Sequence, residues 1–225
     1  MDRVNFYLAG DSTMSNYADS RAPRMGWGQV FHHYFTDRVK IWNEAASGRS
    51  SKTFIEEGRL DKIKNSMGQN DYLFIQFGHN DSKRNSERYT EPFTTYKANL
   101  KKFIMAALEK RAHPILITPV QRRNFTDSGK VIDKHGDYPA AMRELALELN
   151  VPLLDITRES TRLLEKLGVE ASKDLFMWLK PGKYAYYPDG EQDNTHFTEY
   201  GAYQIAGLIV EEIRQLNLEI TEYIR

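Results

Sequence analysis

Residues 72–77 read Tyr-Leu-Phe-Ile-Gln-Phe, apolar at every position but Gln76. A strand with one wet face alternates apolar and polar residues, so an unbroken run predicts a strand covered on both faces. Such a strand needs helices above and below it. Residues 4–9, bounded by Gly10, form a second strand, and residues 39–42, 114–118 and 151–156 add three more. Between them the spacing of apolar residues predicts helices. One spans 26–37 with Trp27, Val30, Phe31, Tyr34 and Phe35; another spans 51–67 with Phe54, Ile55 and Ile63. A third starts near Pro92 and carries Tyr96, Leu100, Phe103, Ile104, Ala107 and Leu108; others cover 137–149, 157–167 and 199–216. Residues 172–195, with turn signals at Pro181-Gly182 and Pro188-Asp189-Gly190, read as irregular. Strand and helix alternate over the whole length, which predicts an α/β fold: a doubly wound, flavodoxin-like parallel sheet in one domain over residues 1–225.

The bulk properties exclude several classes. Lysine plus arginine and aspartate plus glutamate stand at 31 each, so no overall field favours nucleic acid or an anionic membrane. There is no cysteine, which removes disulfides, thiol nucleophiles and thiolate metal sites. No stretch approaches the roughly 20 apolar residues of a membrane span. No His-Glu-x-x-His or comparable spacing appears, so neither a metal nor another cofactor is expected. Nothing at the N-terminus reads as a basic segment followed by an apolar stretch and a cleavage site. The expected compartment is the cytoplasm, with secretion the expectation for a chain from which a signal has been removed. The oligomeric state is left open.

The chemistry gathers at element ends. Gly10-Asp11-Ser12 follows the first strand, and the crevice beyond the carboxyl ends of parallel strands is where such sheets bind ligands. A serine there also has a simple reading as a helix cap. Far down the chain, Asp193-Asn194-Thr195-His196 precedes the last helix. An aspartate three residues before a histidine can share a turn with it and hold the imidazole by Nδ1. Nε2 is then left to take a serine proton. Ser12, Asp193 and His196 thus supply nucleophile, orienting carboxylate and base for acyl transfer. Two further blocks follow strands two and three: Asn43 to Arg49, containing Gly48, and Gly78-His79-Asn80-Asp81. The Gly48 N–H, the Asn80 amide and the Ser12 N–H form a candidate oxyanion hole.

These four blocks, in this order, resemble those of the SGNH (GDSL-type) hydrolases over residues 4 to about 215. The resemblance implies a three-layer α/β/α SGNH hydrolase fold and a serine esterase. It also implies Ser12, Asp193 and His196 as the triad, with Ser12, Gly48 and Asn80 as oxyanion donors. The flanking residues Thr13-Met14, Arg49-Ser50, His79, Pro119 to Arg123 and Phe197 are similar to the rhamnogalacturonan acetylesterase branch. The implied substrate is an acetylated oligosaccharide derived from pectin; the lack of a visible signal segment departs from action on an extracellular polymer and shifts the expectation to trimming of imported fragments inside the cell. Other esterases of this fold, acting on acetylated xylan or on lipid or thioester acyl groups, are the alternative. Candidate substrate residues are Arg49, His79, Arg122, Arg123 and Trp178. For Arg122 and Arg123, a grip on a galacturonate carboxylate and a place in a solvated loop weigh equally. Phe176, Trp178, Tyr184, Tyr186 and Tyr187 read as a sugar platform or as packing of a long loop. A noncatalytic carbohydrate-binding module would be expected to lack one of the triad residues, and a nucleotide binder would carry a glycine fingerprint after the first strand. Neither expectation is met.

Overall fold

The computed structural model describes residues 3–84 and 86–225. Among these, the strands are β1 (Val4–Gly10), β2 (Arg24–Met25), β3 (Val39–Asn43), β4 (Tyr72–Gln76), β5 (His113–Ile117), β6 (Leu153–Leu154), β7 (Phe176–Leu179) and β8 (Glu191–Thr198). The α-helices are α1 (Trp27–Val30), α2 (Ser51–Glu56), α3 (Arg59–Ser66), α4 (Lys97–Glu109, preceded by a π-helical turn, Pro92–Tyr96), α5 (Tyr138–Leu149), α6 (Ile156–Ala171) and α7 (Glu199–Gln215).

Five strands make a parallel sheet in the order β3-β1-β4-β5-β6. Counted among themselves they run 2-1-3-4-5, the flavodoxin-like order, whose switch point lies between the first and third strands. Here those are β1 and β4, the strands that deliver Ser12 and Asn80. The period of two sends Phe6, Leu8, Tyr72, Phe74, Ile115 and Ile117 to a core shared with α1, α6 and α7. Tyr7, Ala9, Leu73, Ile75 and Leu116 face an opposite core under α2, α3, α4 and α5. Both faces are covered, as the unalternating run at 72–77 requires. Fully buried side chains such as Phe6, Phe31 and Phe74 each contribute about 1.5–3 kcal/mol over exposure. Gln76, the polar exception, is buried too. Its Oε1 accepts from Trp27 Nε1 at 2.8 Å and its Nε2 donates to the Thr118 carbonyl at 3.1 Å. It thus joins β4 to the helix behind the Ser12 loop and to the end of β5.

Four local expectations change. The strand expected over 151–156 is only β6, because Asp155 caps α6 and Ile156 already begins it. The helix expected over 26–37 shrinks to α1 and a 3-10 turn, Phe31–Tyr34. The start of this segment is pressed against the Ser12 loop: a Cβ on Gly26 would lie 2.2 Å from the Ser15 carbonyl oxygen. The helix expected over 51–67 divides into α2 and α3 at Gly58, whose φ of +71° is left-handed.

The largest correction concerns 172–195, expected to be irregular. It contains β7 and the start of β8, which pair antiparallel and with β2 form a second, three-stranded sheet. The sequence of β8, Glu-Gln-Asp-Asn-Thr-His-Phe-Thr, has neither alternation nor an apolar run to announce a strand. Pairing on both sides, not intrinsic preference, makes it one. Its register is irregular: Phe197 pairs with Phe176 while Asp193 pairs with the next residue, Met177. Asn194 to His196 are therefore extra residues that leave the ladder, a bulge that re-aims side chains.

Candidate active site

Beyond β1 the chain turns through Asp11 to Met14. Asp11 Oδ1 accepts from the Thr13 N–H and the Thr13 hydroxyl, both at 2.9 Å, and the Asp11 carbonyl accepts from the Ser15 N–H at 3.1 Å. This local turn holds Ser12 at the sheet edge, 7% exposed, with no helix after it to cap. The Tyr17 hydroxyl donates to the Ser12 carbonyl at 2.8 Å and braces the turn from the following loop.

The bulge in β8 brings its two ionisable residues together. In a regular strand, residues three apart point to opposite faces. Here the Thr195 and His196 N–H groups donate to Asp193 Oδ1 at 2.7 and 3.1 Å, curling the backbone around the carboxylate. His196 Nδ1 then lies 2.6 Å from Asp193 Oδ2, and His196 Nε2 lies 2.9 Å from Ser12 Oγ. Burial raises the proton affinity of Asp193. The bonds from the His196 ring and from the Thr195 and His196 backbone outweigh it, and the carboxyl is held well below its usual range. A permanently ionised Asp193 accepts from Nδ1–H, which fixes the tautomer with Nε2 free to accept from Ser12 Oγ. This arrangement can move a proton from Oγ to the imidazole and back.

Arg24, from β2, completes this corner, and no motif in the sequence signalled it. Its Nη2 donates to Asp193 Oδ2 at 3.0 Å and sits 2.9 Å from His196 Nδ1. Because Nδ1 spends its proton on Asp193, the Arg24 bond is the one to the carboxylate. Arg24 reaches it through pairing of Arg24 with Thr198 across β2 and β8, a contact spanning most of the chain.

The loops after β3 and β4 flank the serine. The Ala46 N–H donates to the Gly10 carbonyl at 3.0 Å, which lays the β3 loop along the end of β1. Gly48 has φ +84°, a conformation costly for any residue with a Cβ. Asn80 is 4% exposed and donates one Nδ2 hydrogen to the Arg49 carbonyl at 2.9 Å, tying the two loops and leaving a second amide hydrogen. Asp81 anchors this block from behind. It accepts from the Ser51 N–H, from the Ser51 hydroxyl at 2.5 Å and from the Thr90 hydroxyl at 3.0 Å. Burial nonetheless pushes its carboxyl up to about 6, against the lowering effect of those bonds.

The other expected residues separate into two groups. His79 is buried; its Nδ1 faces His135 Nε2 at 3.1 Å, and burial, then the nearby His135 and Arg122 charges, push it well below the ordinary histidine value. It is a neutral support for the β4 loop. Arg122 Nη2 donates to the His79 carbonyl at 3.2 Å, which places its guanidinium over the same loop. Arg49 is taken up by Glu57, at 3.0 Å, and by the Ser47 carbonyl at 2.8 Å. Arg123 does not reach toward a substrate. It is buried and donates to Ser172 Oγ, Asn194 Oδ1 and the Val169 carbonyl, beneath the ring of Trp178. Trp178 Nε1 donates to the same Asn194 oxygen at 2.8 Å, so Arg123 and Trp178 together hold the bulged residue between Asp193 and His196. Of the aromatic group, Phe176 and Tyr187 are buried in packing, while Tyr186 is exposed and stacks with Arg21.

A doubly wound α/β sheet with a serine at the switch point, hydrogen-bonded to a histidine that is bonded to an aspartate, defines a serine hydrolase of the acyl-transfer class. Comparison with known proteins makes this specific. The GDSL-like Lipase/Acylhydrolase family matches residues 6–209, and the chain belongs to that family. It is 45% identical over 221 residues to the rhamnogalacturonan acetylesterase RhgT of Bacillus subtilis (strain 168), covering 98% of this chain and 94% of that one. A rhamnogalacturonan acetylesterase of Emericella nidulans is 27% identical over 229 residues, covering 92% and 83%. Among solved structures, the YxiM protein of Bacillus subtilis superposes with a TM-score of 0.83 at 27% identity; the match covers 97% of this chain and 58% of that longer one. A catalytic mutant of Axe2, an acetylxylan esterase of Geobacillus stearothermophilus, gives 0.66 at 16% identity with 95% of both chains covered, a likeness of fold alone.

Proposed function

We propose that this esterase removes acetyl groups from rhamnogalacturonan fragments through an acetyl-enzyme on Ser12. The observation that carries the chemistry is the unbroken relay from Ser12 Oγ through His196 to Asp193, at 2.9 and 2.6 Å. The substrate assignment rests on the 45% identity to RhgT over nearly the full chain. His196 Nε2 takes the Ser12 proton as Oγ attacks the acetyl carbonyl. The tetrahedral oxyanion receives the Ser12 and Gly48 N–H groups and the free hydrogen of Asn80 Nδ2. The imidazolium, held by ionised Asp193, protonates the departing sugar oxygen. A water deprotonated by His196 then attacks the acetyl ester of Ser12, releasing acetate and restoring the serine.

The test is acetate release from acetylated rhamnogalacturonan fragments, acetylated xylo-oligosaccharides and a long-chain acyl ester, with Ser12→Ala as control. The expected result is the highest kcat/KM on the rhamnogalacturonan fragments and none in the variant, whose circular dichroism is unchanged. Preference for xylan fragments or for the long-chain ester would move the enzyme to another esterase specificity. Near wild-type turnover by Ser12→Ala would remove the serine mechanism.

A further inference from the structure

Most arginines and lysines around the site are already committed to a carboxylate: Arg24 to Asp193, Arg49 and Arg59 to Glu57, Lys62 to Glu44. Three are not. Arg88 directs Nε to Ser86 Oγ at 3.1 Å and Nη1 to the Gly48 carbonyl at 3.4 Å. The Arg122 side chain has the His79 carbonyl as its partner, and its buried Nε has none among the described residues. Lys83 lies two residues past Asp81, at the exposed end of the same β4 loop, and pairs with no carboxylate among the described residues. Both guanidinium groups are hooked onto backbone carbonyls of the two loops that Asn80 ties together, one at Gly48 and one beside Asn80.

We propose that Arg88, Arg122 and Lys83 form a carboxylate-binding subsite beside Ser12 that holds a uronate carboxylate of the bound fragment. This assignment rests on the reading of the enzyme as a pectic acetylesterase and locates the acidic sugar within its site. None of the three makes an ion pair with a carboxylate among the described residues; buried Asp11 acts on Lys83 and Arg122, and Asp193 on Arg122, only at longer range, so an entering carboxylate would be their first direct acidic partner. Their closeness is felt by Lys83, whose ammonium is lowered by burial and then by the charges of Arg88 and Arg122. Each guanidinium keeps N–H groups beyond its carbonyl contact, and the planar fork matches a carboxylate. The groove on the Arg49 side of Arg88 also contains Glu57 and Glu87, so the carboxylate belongs on the opposite side, toward Lys83 and Arg122. Arg49, bound to Glu57, and Arg123, buried under Trp178, have no part in it.

The experiment compares acetylated rhamnogalacturonan fragments with the same fragments whose uronate carboxyls have been reduced to primary alcohols. For the wild type, kcat/KM on the uronate form is expected to exceed that on the reduced form by about 10- to 100-fold, the range for hydrogen bonds between charged groups. In Lys83→Met/Arg88→Gln that ratio falls toward one, and Arg122→Gln lowers it separately. Equal rates on the two forms in the wild type, or a ratio unchanged in the variants, would overturn the subsite. Should neither form release acetate, the pectic assignment itself fails. The subsite is then read from inhibition of 4-nitrophenyl acetate hydrolysis by oligogalacturonate. Salt-sensitive inhibition by oligogalacturonate but not by neutral galacto-oligosaccharide, weakened in the double variant, supports it; equal inhibition by both overturns it.

Discussion

Replacing Asp81 by asparagine is expected to remove a pH dependence from the folding stability of this protein. Asp81 is fully buried behind the Asn80 loop, and burial raises its carboxyl from the ordinary 3.8 to about 6. Between those values the unfolded chain has released the proton and the folded chain still holds it, so stability falls as pH rises through that window. At about 1.36 kcal/mol per tenfold change in proton affinity, the loss is about 3 kcal/mol, complete above about pH 6. Asparagine fits the site with little change of shape. Three donors, the Ser51 N–H, the Ser51 hydroxyl and the Thr90 hydroxyl, converge on Oδ1, which an amide oxygen can replace. Among the described residues Oδ2 accepts only from the Ser51 N–H, at 3.2 Å. Urea denaturation of wild type and Asp81→Asn from pH 3.5 to 7.5 measures the difference directly. The stability of the wild type minus that of the variant should drop by about 3 kcal/mol across the range. A difference that stays flat, or one that grows with pH, would refute the claim that burial outweighs the hydrogen bonds at this carboxylate.

Asn80→Ala should lower kcat by roughly 10²–10³-fold on an activated acetate ester with little change in KM, since the oxyanion exists only during reaction. It should also cost about 1–3 kcal/mol of stability, because the Arg49 carbonyl loses its donor; a change confined to KM would place Asn80 in substrate binding. Arg24→Gln, which removes the cation from Asp193 Oδ2, should reduce kcat by about 10-fold, the equivalent of about 1.4 kcal/mol, with the fold intact by circular dichroism. An unchanged kcat would make Arg24 a tie between β2 and β8 and nothing more.

The parts of this protein that were legible in the sequence are those where a local pattern has a single structural meaning. The apolar run at 72–77 requires cover on both faces, and the alternation of strand and helix along the chain leaves the doubly wound sheet as its arrangement. Ser12, Gly48 and Asn80 stand at the ends of three such strands, so the topology places them at one edge. Asp193 and His196 were legible for a related reason: an aspartate can capture the backbone and ring of a histidine three residues on within one turn. What the tertiary structure alone decided concerns groups whose partners are far away in the chain. The polar sequence of β8 becomes a strand only because β7 and β2 offer hydrogen bonds on either side. Arg24 meets Asp193 across 169 positions, a contact that no local pattern encodes. Arg122 and Arg123 are chemically identical neighbours. The first lies over the β4 loop, while the second is buried beneath Trp178 as a clamp on Asn194. Their difference comes from the opposite directions in which one short stretch of backbone sends two side chains, and that direction is set by the Arg123 N–H bonding the Asn194 carbonyl, 71 residues away.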